Sequence, residues 1–135
     1  MRLFLDANIL FTAAHNPRGK AALVIELGIQ SYWPLYSSAY AWEEARRNLE
    51  RKFPQSLDTL TAIRPCVQFS EHRPDLQYPA GLVEKDQPIF QAALACRATH
   101  LLTGDLKDFG PFMNQPEKTY GVCIQTIADF LEQLS

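Results

Sequence analysis

Hydrophobic positions along this chain follow two periods: short apolar runs are followed by stretches in which apolar residues recur every three or four positions. Such alternation of strand-like and helix-like segments predicts an α/β/α sandwich built around a mostly parallel sheet. A first strand, about Arg2 to Leu5, leads into a short helix from Ala7, a turn at Asn16 to Gly19 and a helix over Lys20 to Gly28. Ser31 to Tyr36 is the second strand candidate, with Pro34 marking an edge or a bulge. Ser37 and Ser38 are natural N-caps for a long helix carrying Trp42, Ala45, Leu49 and Phe53 at helical spacing.

Pro54 ends that helix, Ser56 can cap a short one through Ile63, and Val67 to Phe69 is a third, weakly marked strand. The polar, proline-bearing stretch Ser70 to Lys85 reads as a long loop. Asp86 then opens a helix as its N-cap, with Pro88 tolerated in the first turn and Ile89, Ala92, Ala93 and Cys96 forming an apolar face. His100 to Thr103 is the fourth strand and Val122 to Ile124 the last. Thr126 with Asp129 makes a capping box for a final helix bearing Ile127, Phe130, Leu131 and Leu134. There is no internal repeat, and 135 residues suit a single domain over 1–135.

Composition changes this picture little: 47% hydrophobic and 21% charged residues describe an ordinary globular chain and argue against a disordered adaptor. No apolar stretch reaches the roughly 18 residues of a membrane span. The N-terminus lacks a secretory leader pattern and Leu3 to Leu5 reads as core strand, so the mature chain is expected to start near Met1. Cys66, Cys96 and Cys123, widely spaced among apolar neighbours, read as reduced core thiols rather than a disulfide framework or zinc site, and reduced thiols make the cytoplasm the expected compartment. His15, His72 and His100 are scattered and read as surface or loop residues; Trp33 and Trp42 read as core or interface. With a net charge of -2, a nucleic-acid substrate cannot be inferred from bulk charge. Any basic surface must be local: Arg46, Arg47, Arg51 and Lys52 on the long helix, with Arg18 and Lys20 in an early loop. That helical group is balanced between a solvated face and a phosphate-contacting rim.

Candidate chemistry lies in four acids, Asp6, Glu44, Asp86 and Asp105, each placed where a strand ends or a helix begins. The carboxyl edge of an open α/β sheet is where ligands bind. Carboxylates gathered there without a cysteine or histidine cluster favour a hard, oxygen-loving cation such as Mg2+ or Mn2+. A divalent ion so held can neutralise a phosphate and lower the pKa of a water, as phosphodiester hydrolysis requires. No serine nucleophile motif, phosphate loop or dinucleotide glycine fingerprint is present. Singly, each acid has a plainer reading as a cap, a turn residue or a solvated helix residue. Only jointly do they point to chemistry.

The segments LDANIL, EEARRNL, KDQPIFQAALA and LLTGDLKDF, in that order, resemble the four acid-bearing motifs of the PIN domain, a nuclease fold of many bacterial toxins and RNA-processing enzymes. The resemblance runs from residue 2 to about residue 109, and the last strand and helix fit the usual ending of that fold. It implies that Asp6, Glu44, Asp86 and Asp105 bind metal. Asp6, Asp86 and Asp105 would be the chief ligands and Glu44 would bind a metal or a water on it, with Asn8 and Thr103 supporting the first and last acids. It also implies an RNA substrate and endonuclease action, with an antitoxin and a second copy of the chain as partners. Glu43 stands beside Glu44, and helical periodicity alone sends neither clearly to the site. Asp108 reads as a cap for the Phe109 to Phe112 segment ahead of an auxiliary ligand. The motifs leave the loop from Ser70 to Lys85 unexplained. Two alternatives stand beside the nuclease: an aspartyl-phosphate phosphatase with Asp6 as nucleophile, and a PIN-like RNA- or protein-binding module that has lost turnover.

Overall fold

Leu3, Phe4 and Leu5 form strand β1 (Leu3–Leu5), and none of the three side chains is exposed. Because successive strand side chains point to opposite faces, β1 must be covered on both, as in a parallel sheet flanked by helices. The computed structural model, which describes residues 1–135, contains such a sheet of five parallel strands. Its other members are β2 (Leu35–Ser38), β3 (Gln68–Ser70), β4 (His100–Leu102) and β5 (Cys123–Gln125), in the order β3-β2-β1-β4-β5. The chain builds outward from β1 to β3 and then returns to the other side of β1. The strand order therefore reverses between β1 and β4, and a crevice opens there at the carboxyl ends.

Six helices connect and flank the strands: α1 (Ala7–His15), α2 (Lys20–Ile29), α3 (Ala39–Lys52), α4 (Leu57–Ile63), α5 (Gln87–Ala95) and α6 (Ile127–Leu134). Helix α1 packs with α2, α3 and α4, while α6 lies beside α2 and β5. Helix α5 lies against β2, β3 and β4. The core joins Phe4, Leu10, Leu49, Phe90, Leu101, Phe109 and Phe130, all essentially inaccessible, in one continuous cluster. No helix is long and apolar enough to cross a membrane.

Several boundaries differ from the sequence expectations, each for a local reason. Strand β2 starts at Leu35, not Ser31. Ser31 has φ +73° in the turn that ends α2, and the Trp33 indole N–H donates back to the Val24 carbonyl at 3.1 Å. Pro34 contributes only its carbonyl, which accepts from the Leu3 N–H at 3.1 Å. Ser37 and Ser38 are thus strand residues. Ser38 also caps α3 by accepting from the Ala41 N–H, whereas the Ser37 hydroxyl donates to the Leu5 carbonyl and ties β2 to the end of β1. Helix α2 runs through Gly28, where an added Cβ would stand 2.5 Å from Leu35 Cγ, so glycine is what lets helix and strand approach.

Ser56 makes no capping bond; it belongs to a 3₁₀ turn, Pro54–Ser56, that feeds directly into α4. Only half of the capping box at α6 forms. Thr126 accepts from the Asp129 N–H, while the Asp129 carboxylate accepts from the Asn114 amide instead of returning to the cap. Cys96 is buried, Cys123 is half-buried and Cys66 is exposed, so the thiols are free but are not all in the core. Between β3 and the 3₁₀ turn Glu84–Asp86 the chain makes the expected loop, yet it is anchored: the buried Gln91 amide donates to the Pro74 and Leu76 carbonyls at 3.2 and 2.7 Å.

Candidate active site

Asp6 directly follows β1 and is 4% exposed. Its Oδ1 accepts from the Ala7 N–H at 2.7 Å, and its Oδ2 accepts from the Thr103 hydroxyl at 2.7 Å and the Asn8 amide at 3.3 Å. The parallel pairing of β1 with β4 sets Leu5 opposite Leu102, which brings Thr103 to Asp6 across 97 residues of sequence. Asn8 fastens the same junction by donating to Thr103 Oγ1 and accepting from the Gly104 N–H at 2.7 Å. Thr103 in turn accepts from the Asp105 N–H at 3.1 Å. The two polar residues expected to support the first and last acids therefore bond both sides of the crevice.

Asp86, Asp105 and Asp108 meet on the opposite wall, one carboxylate oxygen of each lying within 4.8 Å of the others. Asp86 is not an N-cap in the expected sense. It ends the 3₁₀ turn ahead of α5, its side chain bonds no helix N–H, and its Oδ2 is buried without any hydrogen-bond partner. An orphaned buried carboxylate oxygen is costly unless something completes it. The expectation for Asp108 fails as well. Its carboxylate caps nothing in the Gly110–Phe112 turn and instead stands beside Asp86 and Asp105, with Lys85 Nζ 3.4 Å from its Oδ2. The capping in this segment is done by Asp105, whose Oδ1 accepts from the Asp108 N–H.

Electrostatics reflect this crowding. Burial, aided by the charges of Glu44 and Asp105, pushes the Asp6 carboxyl up to about 6 against the pull of its bonds from Thr103 and Ala7. Burial and the charge of Asp6, with Asp105 and Asp108 behind it, push Asp86 up to about 7, Lys85 opposing. Asp86 in turn raises the Lys85 ammonium. Asp6 and Glu44 lie outside the trio of clustered oxygens, Glu44 being felt through its charge on Asp6 and Tyr40.

The choice between neighbouring glutamates has a geometric answer. Glu43 is exposed and chelates Arg46, at 2.7 and 3.0 Å, on the outer face of α3. Glu44 is half-buried, without a hydrogen-bond partner, and bears on Asp6. Of the basic residues, Arg46 is held between Glu43 and Glu50. Arg51 donates to Asn48. Arg47 is exposed and, like Arg51, falls on the Glu44 face by helical spacing. The basic group is thus split between two faces. Two residues at the site carry no expectation from the sequence. Lys85 adjoins Asp86, and Tyr40 stands one turn before Glu44, its hydroxyl donating to the Lys85 carbonyl at 3.1 Å. Their positions next to predicted acids were the available signal.

A five-stranded parallel sheet that reverses at β1 and β4, with carboxylates collected at that edge, defines a PIN-like α/β domain. Among solved structures, VapBC2 from Rickettsia felis, bound to a DNA fragment from their promoter, matches at TM-score 0.64 and 14% identity, over 93% of this chain and 98% of that one. VapBC-1 from nontypeable Haemophilus influenzae matches at TM-score 0.56 and 16% identity, over 95% and 99%. At these identities the likeness is one of fold. No family model and no curated protein matches the chain.

Proposed function

We propose that the chain is a divalent-metal-dependent ribonuclease, an endonuclease acting on RNA phosphodiester bonds, and the toxin of a toxin–antitoxin pair. The observation that carries this reading is Asp86, whose Oδ2 is buried without a partner and whose carboxylate clusters with those of Asp105 and Asp108, in a PIN-like fold. The donor set is all oxygen and strongly anionic, which suits Mg2+ or Mn2+. Asp6, Asp86 and Asp105 would hold the metal, with Asp108 an auxiliary and Glu44 the outlying acid. When bound, such an ion neutralises phosphate charge and acidifies a water for attack.

The protein's own part is positional. Thr103 and Asn8 fix the Asp6 carboxylate with one hydrogen bond each, and Asn8 is itself held by the Gly104 N–H. The raised acids are ready to lose their protons when a cation compensates them. Arg47 and Arg51, on the Glu44 face, would meet backbone phosphates, whereas Arg46 is already engaged by its own helix. Both Asp6 oxygens accept hydrogen bonds, and nothing favours its use as a phosphorylated nucleophile. The antitoxin partner is suggested by the VapBC assemblies that share the fold; a homodimer belongs to the same reading.

A mixed-structure RNA incubated with purified protein in Mg2+, Mn2+ or EDTA tests the proposal, beside an Asp6→Asn, Asp105→Asn double variant purified identically. Cleavage should require metal and fall at least 100-fold in the variant. Parent and variant behaving alike in every condition would remove the nuclease reading, and unchanged RNA binding by both without cleavage would favour the binding module.

A further inference from the structure

Beside the acids, on the β3 side of Asp86, a cavity of about 200 Å³ opens at the carboxyl ends of β2 and β3, lined by Ser38, Tyr40, Ser70, His72, Pro88 and Ala92. None of these residues is used by the metal chemistry. The space would hold several waters at about 30 Å³ each, or one planar heteroaromatic ring, and is too small for a folded helix. Its walls are unlike those of a water pocket: alanine and proline carbons come from α5, a tyrosine ring from α3, and an imidazole from the loop after β3. Tyr40 is 44% exposed, and its hydroxyl spans from α3 to the Lys85 carbonyl, next to Asp86. The cavity and the acids therefore share a wall.

Beside the Tyr40 hydroxyl and the His72 imidazole, the lining holds two serine hydroxyls with complementary unused capacity. Ser38 and Ser70 are register partners on adjacent parallel strands, which places their backbones about 5 Å apart. Ser38 Oγ accepts from the Ala41 N–H and has no acceptor in the protein for its own proton. Ser70 Oγ gives its proton to the Ala92 carbonyl at 2.7 Å and keeps its lone pairs. One free donor and one free acceptor side by side match the edge of a nucleobase, which alternates the same two functions.

We propose that this cavity is a nucleobase pocket. An unpaired base next to the bond being cut enters between Tyr40 and His72 and is read on its edge by Ser38 and Ser70, so these four residues set the base preference of the enzyme. Stacking on aromatic side chains with edge hydrogen bonds is how proteins read splayed single-stranded bases. Lys85, whose carbonyl accepts from the Tyr40 hydroxyl, and the exposed Arg47 on the same helix as Tyr40 supply positive charge for the phosphates of a strand carrying that base. The inference deepens the ribonuclease reading and rests on it for the identity of the strand, but the pocket can be tested without turnover.

The four ribonucleoside 5′-monophosphates are titrated into full-length protein in EDTA, following amide shifts by NMR, with inorganic phosphate as the control. At least one nucleotide should give saturable shifts at Ser38, Tyr40, Ser70 and Ala92 that phosphate does not produce. Its affinity should fall about tenfold in Tyr40→Ala and in His72→Ala, each at an exposed residue, while Tyr40→Phe keeps the ring and the binding. In parallel, cleavage of single-stranded oligonucleotides differing at one position should show a base preference that both alanine variants flatten. If no nucleotide shifts these residues, or the variants bind as the parent does, the pocket is overturned. Nucleotide binding without any RNA cleavage would retain the pocket and discard the nuclease; cleavage with unaltered base preference in both variants would do the reverse.

Discussion

At Asp86 a buried carboxylate keeps one oxygen that no donor reaches, and its pKa stands at about 7. Asp6, at about 6, shares the burden. Because both folded values lie above the ordinary carboxyl value, the folded state binds more protons than the unfolded chain between about pH 4 and 7. The stability these groups contribute is complete below that window and is lost as pH rises through it. In EDTA, chemical denaturation should therefore show the protein less stable at pH 8 than at pH 5, by a few kcal/mol in order of magnitude. Asp86→Asn should lose much of that slope and be the more stable protein at pH 8, while losing metal-dependent activity. Thr103→Val removes the shortest bond to Asp6. Its expected effects are a further rise of the Asp6 pKa, read by carboxyl NMR, and a loss of about 1–3 kcal/mol. Asp6 and Asp105 were legible in the sequence because each directly follows a strand or its exit turn. Asp86 carries two expectations from the sequence, a helix N-cap from its position and a metal ligand from the PIN resemblance, and the 3₁₀ turn that withholds its side chain from the helix N–H groups removes the first.

Among the elements, the junction of α2 with β2 and the anchored loop after β3 were the least readable. Strand β2 starts later than its apolar residues suggest because the Trp33 indole is spent on the Val24 carbonyl and the ladder begins only after Pro34. Local apolar content could not reveal a long-range hydrogen bond. Long, periodic elements such as α3 and α5 were read nearly to their ends, and the capping serine of α3 was among the two proposed. Gly28→Val should cost about 1–3 kcal/mol in denaturation, since its branched side chain must displace Leu35. Gln91→Ala removes both donors that hold the loop at Pro74 and Leu76. Hydrogen exchange of residues 71–83 should then accelerate with little change in the sheet, and equal protection in the variant would mean the loop is held by other contacts.

For the whole molecule, the separation of the acids along the chain is offset by strand order, so metal affinity and global stability should be linked. Saturating Mn2+ should raise the melting temperature more at pH 8 than at pH 5.5, where protons compete for Asp6 and Asp86. An equal rise at both values would separate the metal from these acids. The alternation of periods made the α/β architecture readable, but the reversal of strand order at β1 was not, because it is fixed by which helix covers which face rather than by any one segment. That reversal has a temporal consequence. β1 is made first by a ribosome, yet one of its two edges waits for β4, which follows more than 90 residues later, and the hydrogen bond between Thr103 and Asp6 spans 97 positions. Until His100 to Asp105 has emerged, a nascent chain holds Asp6 without its partner and the crevice has only one wall. Whatever activity the acids support is therefore withheld during synthesis, and the pairing of β4 with β1 is also the step that brings the two walls of the site together.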